Sequence, residues 1–91
     1  MAHLAHDNEA LLKRIRRISG QVAAIERSIT SGEDCATVLH LVAGAKGAMT
    51  GLMEEIIEAH LREHVARPGL SQAERAEGAQ QLAAAIRRYG K

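Results

Sequence analysis

The feature that most constrains this chain is a long apolar series that runs for about thirty residues without a helix breaker. Its apolar positions alternate steps of four and three residues: Val38, Val42, Ala45, Met49, Leu52 and Ile56. The first helix breaker after them is Pro68–Gly69. This spacing is typical of an amphipathic helix with a coiled-coil-like seam. A helix of that length spans roughly 45 to 50 Å, whereas a compact 91-residue chain has a radius of gyration of about 12 Å. We therefore expect a second copy to cover the stripe with an antiparallel helix.

Two further helices flank this one. An earlier apolar series keeps the same four-three spacing: Leu11, Ile15, Ile18, Val22, Ile25 and Ile29. It predicts a helix over about 7–30. Either Ser31 or Asp34 can cap the central helix, expected over about 34–66. Ser71 and Glu74 form a capping-box pattern that opens a third helix over about 71–89. We predict one all-α helical domain over residues 1–91, with a flexible arm at 1–7 and a long central helix.

Composition excludes several classes of protein. The chain is 46% hydrophobic but has a single Tyr and no Phe or Trp, so its core is thin and its stability as a monomer is doubtful. One cysteine cannot form an internal disulfide, and no apolar run approaches the roughly 18 residues of a membrane span. These features argue against a disulfide-stapled secreted protein and an integral membrane protein, and the predicted location is the cytoplasm.

Three glycines lie inside the central helical pattern, at Gly44, Gly47 and Gly51. Each costs about 1 kcal/mol of helix propensity relative to alanine. Such a cost needs a packing reason, because glycine also lets two backbones approach closely. We assign the cluster to a tight helix crossing at the middle of the dimer.

Histidine and cysteine spacing predicts a metal site. His60 and His64 are four residues apart, which places both imidazoles on one helix face within reach of one ion. Cys35 lies about 38 Å away along the same helix, but an antiparallel partner would bring its own Cys35 to this histidine pair. His3 on the arm could add a fourth ligand, and Glu63 points to another face and is expected to be a surface charge. The alternative without a metal is that the histidines are solvated surface residues and that Cys35 is an inert buried side chain.

A cluster of basic residues occupies the first helix. Four positive charges fall within five residues, at Lys13, Arg14, Arg16 and Arg17, although the formal net charge is only +1. Oligomer symmetry would multiply this basic face, and phosphate contact is its natural use. A solvated helix face is the alternative, and no helix-turn-helix, zinc finger or aromatic stacking platform is present in the sequence pattern.

Three segments together resemble the CsoR/RcnR family of bacterial metal- and formaldehyde-responsive repressors. They are RIRRISGQVAAIER at 14–27, Cys35, and AGAKGAMTGLMEEIIEAHLREH at 43–64. The resemblance covers about residues 9–66. It implies an all-helical tetramer built as a dimer of dimers, with sites formed between subunits and without a standard DNA-binding motif.

The resemblance also implies a ligand set. Copper(I) members use a second cysteine where this chain has His64, so a soft trigonal copper site lacks a thiolate. The nickel/cobalt branch is similar at every ligand position: His3, Cys35, His60 and His64. Backbone nitrogen or Glu63 would complete six-coordinate Ni(II) or Co(II), with Zn(II) as a competitor.

Formaldehyde-responsive members usually carry a proline at position 2 and a glutamate at position 64, where this chain has Ala2 and His64. In the family, basic residues of the first helix contact DNA, which favours Arg14 and Arg17, followed by Lys13, Arg16 and Lys46. The leading hypothesis is a repressor that holds operator DNA when metal-free and is released by Ni(II) or Co(II). The alternatives are a formaldehyde-responsive repressor that reacts through Cys35 and a metal-storage module that binds no DNA. No acid/base pair with a pocket is visible, so we predict no enzymatic activity.

Overall fold

The computed structural model describes residues 8–90, and this range consists of three α-helices and one π-helical turn, with no strand. The elements are α1 (Asn8–Thr30), α2 (Cys35–Leu61), the π-helical turn (Arg62–Ala66) and α3 (Gln72–Tyr89). The all-α fold with a long central helix is thereby confirmed. The arm at 1–7, including His3, lies outside the described residues. Contacts group residues 8–53 and 54–90 into two compact units, and α2 contributes to both.

The turn between α1 and α2 is stabilised by side-chain caps. Gly32 has a φ of 76°, a left-handed conformation that suits glycine at the end of a helix. Asp34 Oδ1 accepts a hydrogen bond of 2.9 Å from the backbone N–H of Thr37, which selects Asp34 as the cap of α2. Hydrogen bonds from the Thr37 side chain and backbone hold the pKa of Asp34 below its ordinary value. Buried Ser28 donates to Glu33 at 2.8 Å across the same turn.

The predicted capping box of α3 is confirmed. The Glu74 N–H donates to Ser71 Oγ at 3.0 Å, and the Ser71 N–H donates to Glu74 Oε1 at 2.8 Å. The backbone hydrogen bond from Ser71 is the main reason why the pKa of Glu74 is lowered. The two bonds satisfy N–H groups that a helix leaves unpaired at its start. They fix the residue at which α3 begins after the Pro68–Gly69 break.

In the unit of residues 8–53, α1 and α2 lie side by side in antiparallel directions. A Cβ added to Gly51 would lie 2.7 Å from Arg14 Nη1, and one added to Gly44 would lie 4.0 Å from Gln21 Nε2. The two contacts are seven residues apart on both helices, as expected for paired helices. Two of the three glycines therefore receive long side chains from their own chain. A Cβ at Gly47 would meet nothing within 4 Å, so its assignment to a crossing between copies stays a prediction.

The apolar seam of α1 separates into two lines of residues. One line faces the protein, because Leu11 and Ile18 are buried and Ile25 is half-buried. The other line is open to solvent, with exposed fractions of 43–62%: Ile15, Val22 and Ile29. Seven-residue spacing within each line explains why the sequence shows one continuous four-three pattern.

The central helix also has an open apolar line, which we call the α2 seam. Its large apolar side chains are 37–64% exposed in the single chain: Leu39, Val42, Met49, Met53 and Ile56. Contiguous apolar surface of this kind marks a site of protein association. The stripe that the helix-length argument predicted to be left uncovered agrees with this line only in part. Val42, Met49 and Ile56 of that stripe are exposed, whereas Val38, Ala45 and Leu52 are half-buried. The α2 seam includes Leu39 and Met53 instead.

The sequence predicted no apolar run of membrane-spanning length, but residues Cys35–His64 form a helical stretch that is long and apolar enough to cross a membrane, by length and composition alone. The central helix of a helical bundle meets the same criterion. Exposed Lys46 lies near the middle of this stretch, and a lysine at the centre of a bilayer costs about 2.5–3.5 kcal/mol or more. The position of Lys46 therefore favours pairing with another helix over insertion into lipid.

Candidate functional site

Two histidines meet where α2 ends. His60 lies in the last turn of α2 and His64 in the π-helical turn that follows, and both are half-buried. Their ring centroids are 4.7 Å apart and the rings are tilted by 38°. π-Helical turns are rare and recur at functional sites. The predicted pairing of the two imidazoles on one face is therefore present, with the additional feature that the helix widens between them.

A backbone contact from α3 fixes the orientation of His60. Its Nε2 lies 3.0 Å from the carbonyl oxygen of Gly78. A carbonyl oxygen can only accept, so Nε2 carries the hydrogen in this arrangement. In the neutral imidazole the lone pair then lies on Nδ1, the nitrogen with which His60 would bind a metal.

The histidine pair opens onto a cleft of about 520 Å³. The cleft lies within the unit of residues 54–90, and its walls come from the end of α2, the loop and α3. Its lining combines both imidazoles with carboxylates, an amide and one guanidinium: His60, His64, Arg67, Leu70, Glu74, Glu77, Gly78 and Gln81. This lining is polar enough to admit a hydrated ion.

Residues 8–90 of one chain supply only part of a metal site. Among residues 8–90, no group of three His, Cys, Asp or Glu side chains is close enough to hold an ion. Cys35 is exposed at the start of α2, at the opposite end of that helix from His60. The Glu63 carboxylate lies 3.5 Å from Arg67 Nη1, in the ion pair expected of a surface charge. Two imidazoles whose ring centroids are 4.7 Å apart nevertheless suit a divalent cation of intermediate hardness. The remaining ligands of such a cation must come from elsewhere.

The predicted basic face divides into exposed and packed residues. Lys13, Arg16 and Arg17 are exposed on α1, whereas Arg14 is half-buried with its guanidinium against Gly51 of α2. Lys46 is exposed on α2, seven residues from both Leu39 and Met53 of the α2 seam. The exposed residues of α1 are therefore the best placed for phosphate contact, and the other two also belong to packing surfaces.

Two residues at the site were missed in the sequence. Gly78 contacts His60, and Arg75 donates to the carbonyls of Val65 and Leu70. A glycine inside the helical pattern of α3 was a usable signal for Gly78, because its propensity cost needs a packing reason. Arg75 gave no signal, since its partners are backbone atoms.

Comparison with known proteins identifies the family of this chain. The model of the metal-sensitive transcriptional repressor family matches residues 7–88. An uncharacterized protein encoded in the bioA 5′ region of Serratia marcescens is 41% identical over 91 residues, which is the whole of both chains. The transcriptional repressor RcnR of Escherichia coli K12 is 39% identical over 69 residues, 76% of this chain and 77% of RcnR.

A solved structure shares the fold as well as the sequence. It is a variant of the formaldehyde-responsive regulator FrmR from Salmonella enterica serovar Typhimurium, in which a glutamate is replaced by histidine. The TM-score is 0.84 at 38% identity, over 92% of this chain and 94% of that chain. The chain belongs to the CsoR/RcnR family of metal-sensitive transcriptional repressors, which are regulators without enzymatic activity.

Proposed function

We propose that this chain is a cytoplasmic repressor that holds operator DNA when metal-free and releases it when Ni(II) or Co(II) binds. The observation that carries the proposal is the histidine pair at one end of the exposed α2 seam, with Cys35 at the other end. Because the two ends of one helix cannot meet, a second copy has to complete the site. The function therefore depends on an assembly.

The spacing of the α2 seam defines the pairing that we propose. Positions 35, 42, 49 and 56 form one seven-residue line, and positions 39, 46, 53 and 60 form the other. An antiparallel copy in register then faces Leu39 with Ile56, Val42 with Met53, Lys46 with Met49, and Cys35 with His60. All the large apolar residues in this register are exposed in the single chain. Burial of such surface is the main driving force for association.

The same register brings the proposed ligands together twice per dimer. Each site would combine His60 and His64 of one chain with Cys35 of the partner subunit, and His3 would close it from the arm. Imidazole, thiolate and further nitrogen or oxygen ligands suit Ni(II) and Co(II), and Zn(II) competes for the same set. Similarity to RcnR supports the nickel/cobalt branch over a copper site, because the chain has no second cysteine.

Metal sensing requires a difference in metal affinity between the DNA-bound and DNA-released states. Coupling free energies between sites are typically about 1–3 kcal/mol. In this proposal, recruitment of the arm by His60 and His64 changes where α1 begins. The exposed basic residues Lys13, Arg16 and Arg17 are close to that start. Two dimers would form a tetramer that presents several copies of this basic face to operator DNA.

Formaldehyde sensing is the second candidate, supported by the likeness to the FrmR structure and by the exposed Cys35 thiol. The FrmR variant carries histidine in place of a glutamate. The same exchange of residue types distinguishes His64 from the formaldehyde-responsive pattern. A formaldehyde sensor would gain mass at Cys35 as an adduct or methylene bridge and would release DNA without metal.

An anaerobic titration of the reduced protein with Co(II) tests the proposal, with operator binding measured in the same samples. We expect one ion per chain, thiolate-to-cobalt charge-transfer absorption, weak visible bands typical of six-coordination, and loss of DNA binding. Intense tetrahedral bands with DNA still bound would contradict it. Release by formaldehyde alone would favour the second candidate. A metal-free protein that retards no operator fragment at physiological salt would point to metal storage.

Substitution of Arg17 tests the basic face. Arg17→Ala should lower the affinity of the metal-free protein for operator DNA by about tenfold or more and reduce the salt slope of binding by about 1 for each phosphate that is no longer neutralised. Arg17 is preferable to Arg14, whose loss would also alter packing at Gly51. Arg87→Ala, at another exposed helical position, is the matched control. Equal salt slopes for the two variants would exclude a phosphate contact by Arg17.

A further inference from the structure

Gly78 is a point at which α3 packs against the histidine pair. It is buried, and a Cβ added to it would lie 2.0 Å from the carbonyl oxygen of His64 and 2.9 Å from the His64 Cβ. Real Cβ contacts do not occur below 3.0 Å. The atoms that would have to move are backbone atoms, so no rotamer change can relieve the clash. Only glycine permits this approach of α3 to the π-helical turn.

The same contact region supports the widened turn itself. The Arg75 guanidinium donates to the carbonyl oxygen of Val65 inside the turn and, at 3.5 Å, to that of Leu70 just beyond it. Carbonyl groups near a helix end need partners from outside the helix. Helix α3 therefore contributes both the close packing of Gly78 and a side chain that holds the turn containing His64.

Gly78 contacts both histidines through different atoms. Its carbonyl oxygen accepts from His60 Nε2 at 3.0 Å, while its Cα faces the backbone of His64. A single residue thus relates the ring of one imidazole to the backbone that carries the other. We propose that Gly78 is a positioning residue that holds His60 and His64 at their 4.7 Å ring separation, an inference that rests on the proposed metal response. Helix α3 is by this inference part of the effector site.

Gly78→Ala is the direct test, with Gly20→Ala as its control. Gly20 also lies inside a helix, but a Cβ there would meet nothing within 4 Å. We expect Gly78→Ala to weaken Co(II) binding by about 10- to 100-fold, the usual effect of losing a residue that orients a ligand. Its ligand-field spectrum should change, while its helix content measured by circular dichroism should not. Gly20→Ala should change none of these.

A measurement on the unsubstituted, metal-free protein covers the case in which Gly78→Ala does not fold. Nitrogen-15 NMR of the neutral imidazole ring reports which ring nitrogen carries the hydrogen. We expect the Nε2–H form for His60. An Nδ1–H form would overturn the positioning role, because Nε2 could not then donate to the Gly78 carbonyl.

The outcomes separate this inference from the proposed function. If the unsubstituted protein keeps its DNA at saturating Co(II), the proposed function fails, and the NMR result still decides the contact between Gly78 and His60. If the unsubstituted protein releases DNA and Gly78→Ala binds Co(II) with the same affinity and spectrum, only the role of Gly78 fails.

Discussion

His64→Leu should abolish the metal response while the metal-free protein still binds operator DNA. Structural metal sites of four ligands bind with about 10–16 kcal/mol, or about 3 kcal/mol per ligand, so loss of one imidazole should weaken Ni(II) and Co(II) binding by about 100-fold or more. DNA binding should be spared, because the exposed basic residues lie on α1 and His64 lies in the π-helical turn. Metal titrations measure the loss of metal affinity, and gel-retardation assays with operator DNA on the same preparation measure the DNA affinity.

The matched control for His64→Leu is His40→Leu. His40 is exposed on α2 and lies outside the cleft that the histidine pair lines, so its replacement should leave the metal response intact. A leucine at position 64 that retained full nickel and cobalt induction of a reporter would contradict the assignment of His64 as a ligand. Equal loss in both variants would indicate a general effect of removing a histidine from the chain.

Met53→Glu should dissociate the proposed dimer, and Met49→Glu should weaken it far less. In the antiparallel register Met53 faces Val42 of the partner subunit, and a carboxylate there loses about 2 kcal/mol of apolar burial at each of two symmetric positions. Together these losses weaken association by about 1,000-fold, before the cost of burying the charge is added. Met49 faces Lys46 of the partner subunit, so a glutamate at this position gains two ion pairs.

Sedimentation equilibrium over a range of protein concentrations measures the difference. Both variants exchange a methionine of the α2 seam for the same residue, so any general effect of a glutamate on helix propensity or solubility is shared. A parallel arrangement predicts no such difference, because a glutamate at either position would then face its own copy across the axis. If the two variants dissociate equally, the proposed register is wrong.

The sequence predicted the helices well because their signals are local. Four-three spacing identified α1 and α2, and the Ser71–Glu74 and Asp34 patterns identified caps that the structure contains. Spacing alone, however, marks a face without saying what covers it. The seam of α1 therefore looked continuous, although Leu11 and Ile18 are buried within the chain and Val22 is open.

The candidate site was predictable only in its residue types. His60 and His64 could be paired from their spacing, but the π-helical turn that contains His64 has no residue pattern that distinguishes it from an α-helix. The contacts of Gly78 depend on how α3 packs against the end of α2 and the π-helical turn, and local sequence patterns do not contain this tertiary information. Cys35 can complete the site only through a second chain. The proposed ligand set therefore requires the proposed assembly, and a test of one is also a test of the other.

The length of α2 has a consequence for how an assembly would respond to rising effector concentration. From Cys35 to His60 is about 38 Å along the helix, so the two symmetric sites of an antiparallel dimer would lie at opposite ends. Salt screens charge beyond about 8 Å in the cell, and one occupied site therefore exerts almost no direct field on the other. Any cooperativity between the sites has to be mechanical, carried by displacement of whole helices. A graded, non-cooperative titration would mean that each end of the dimer reports its own occupancy.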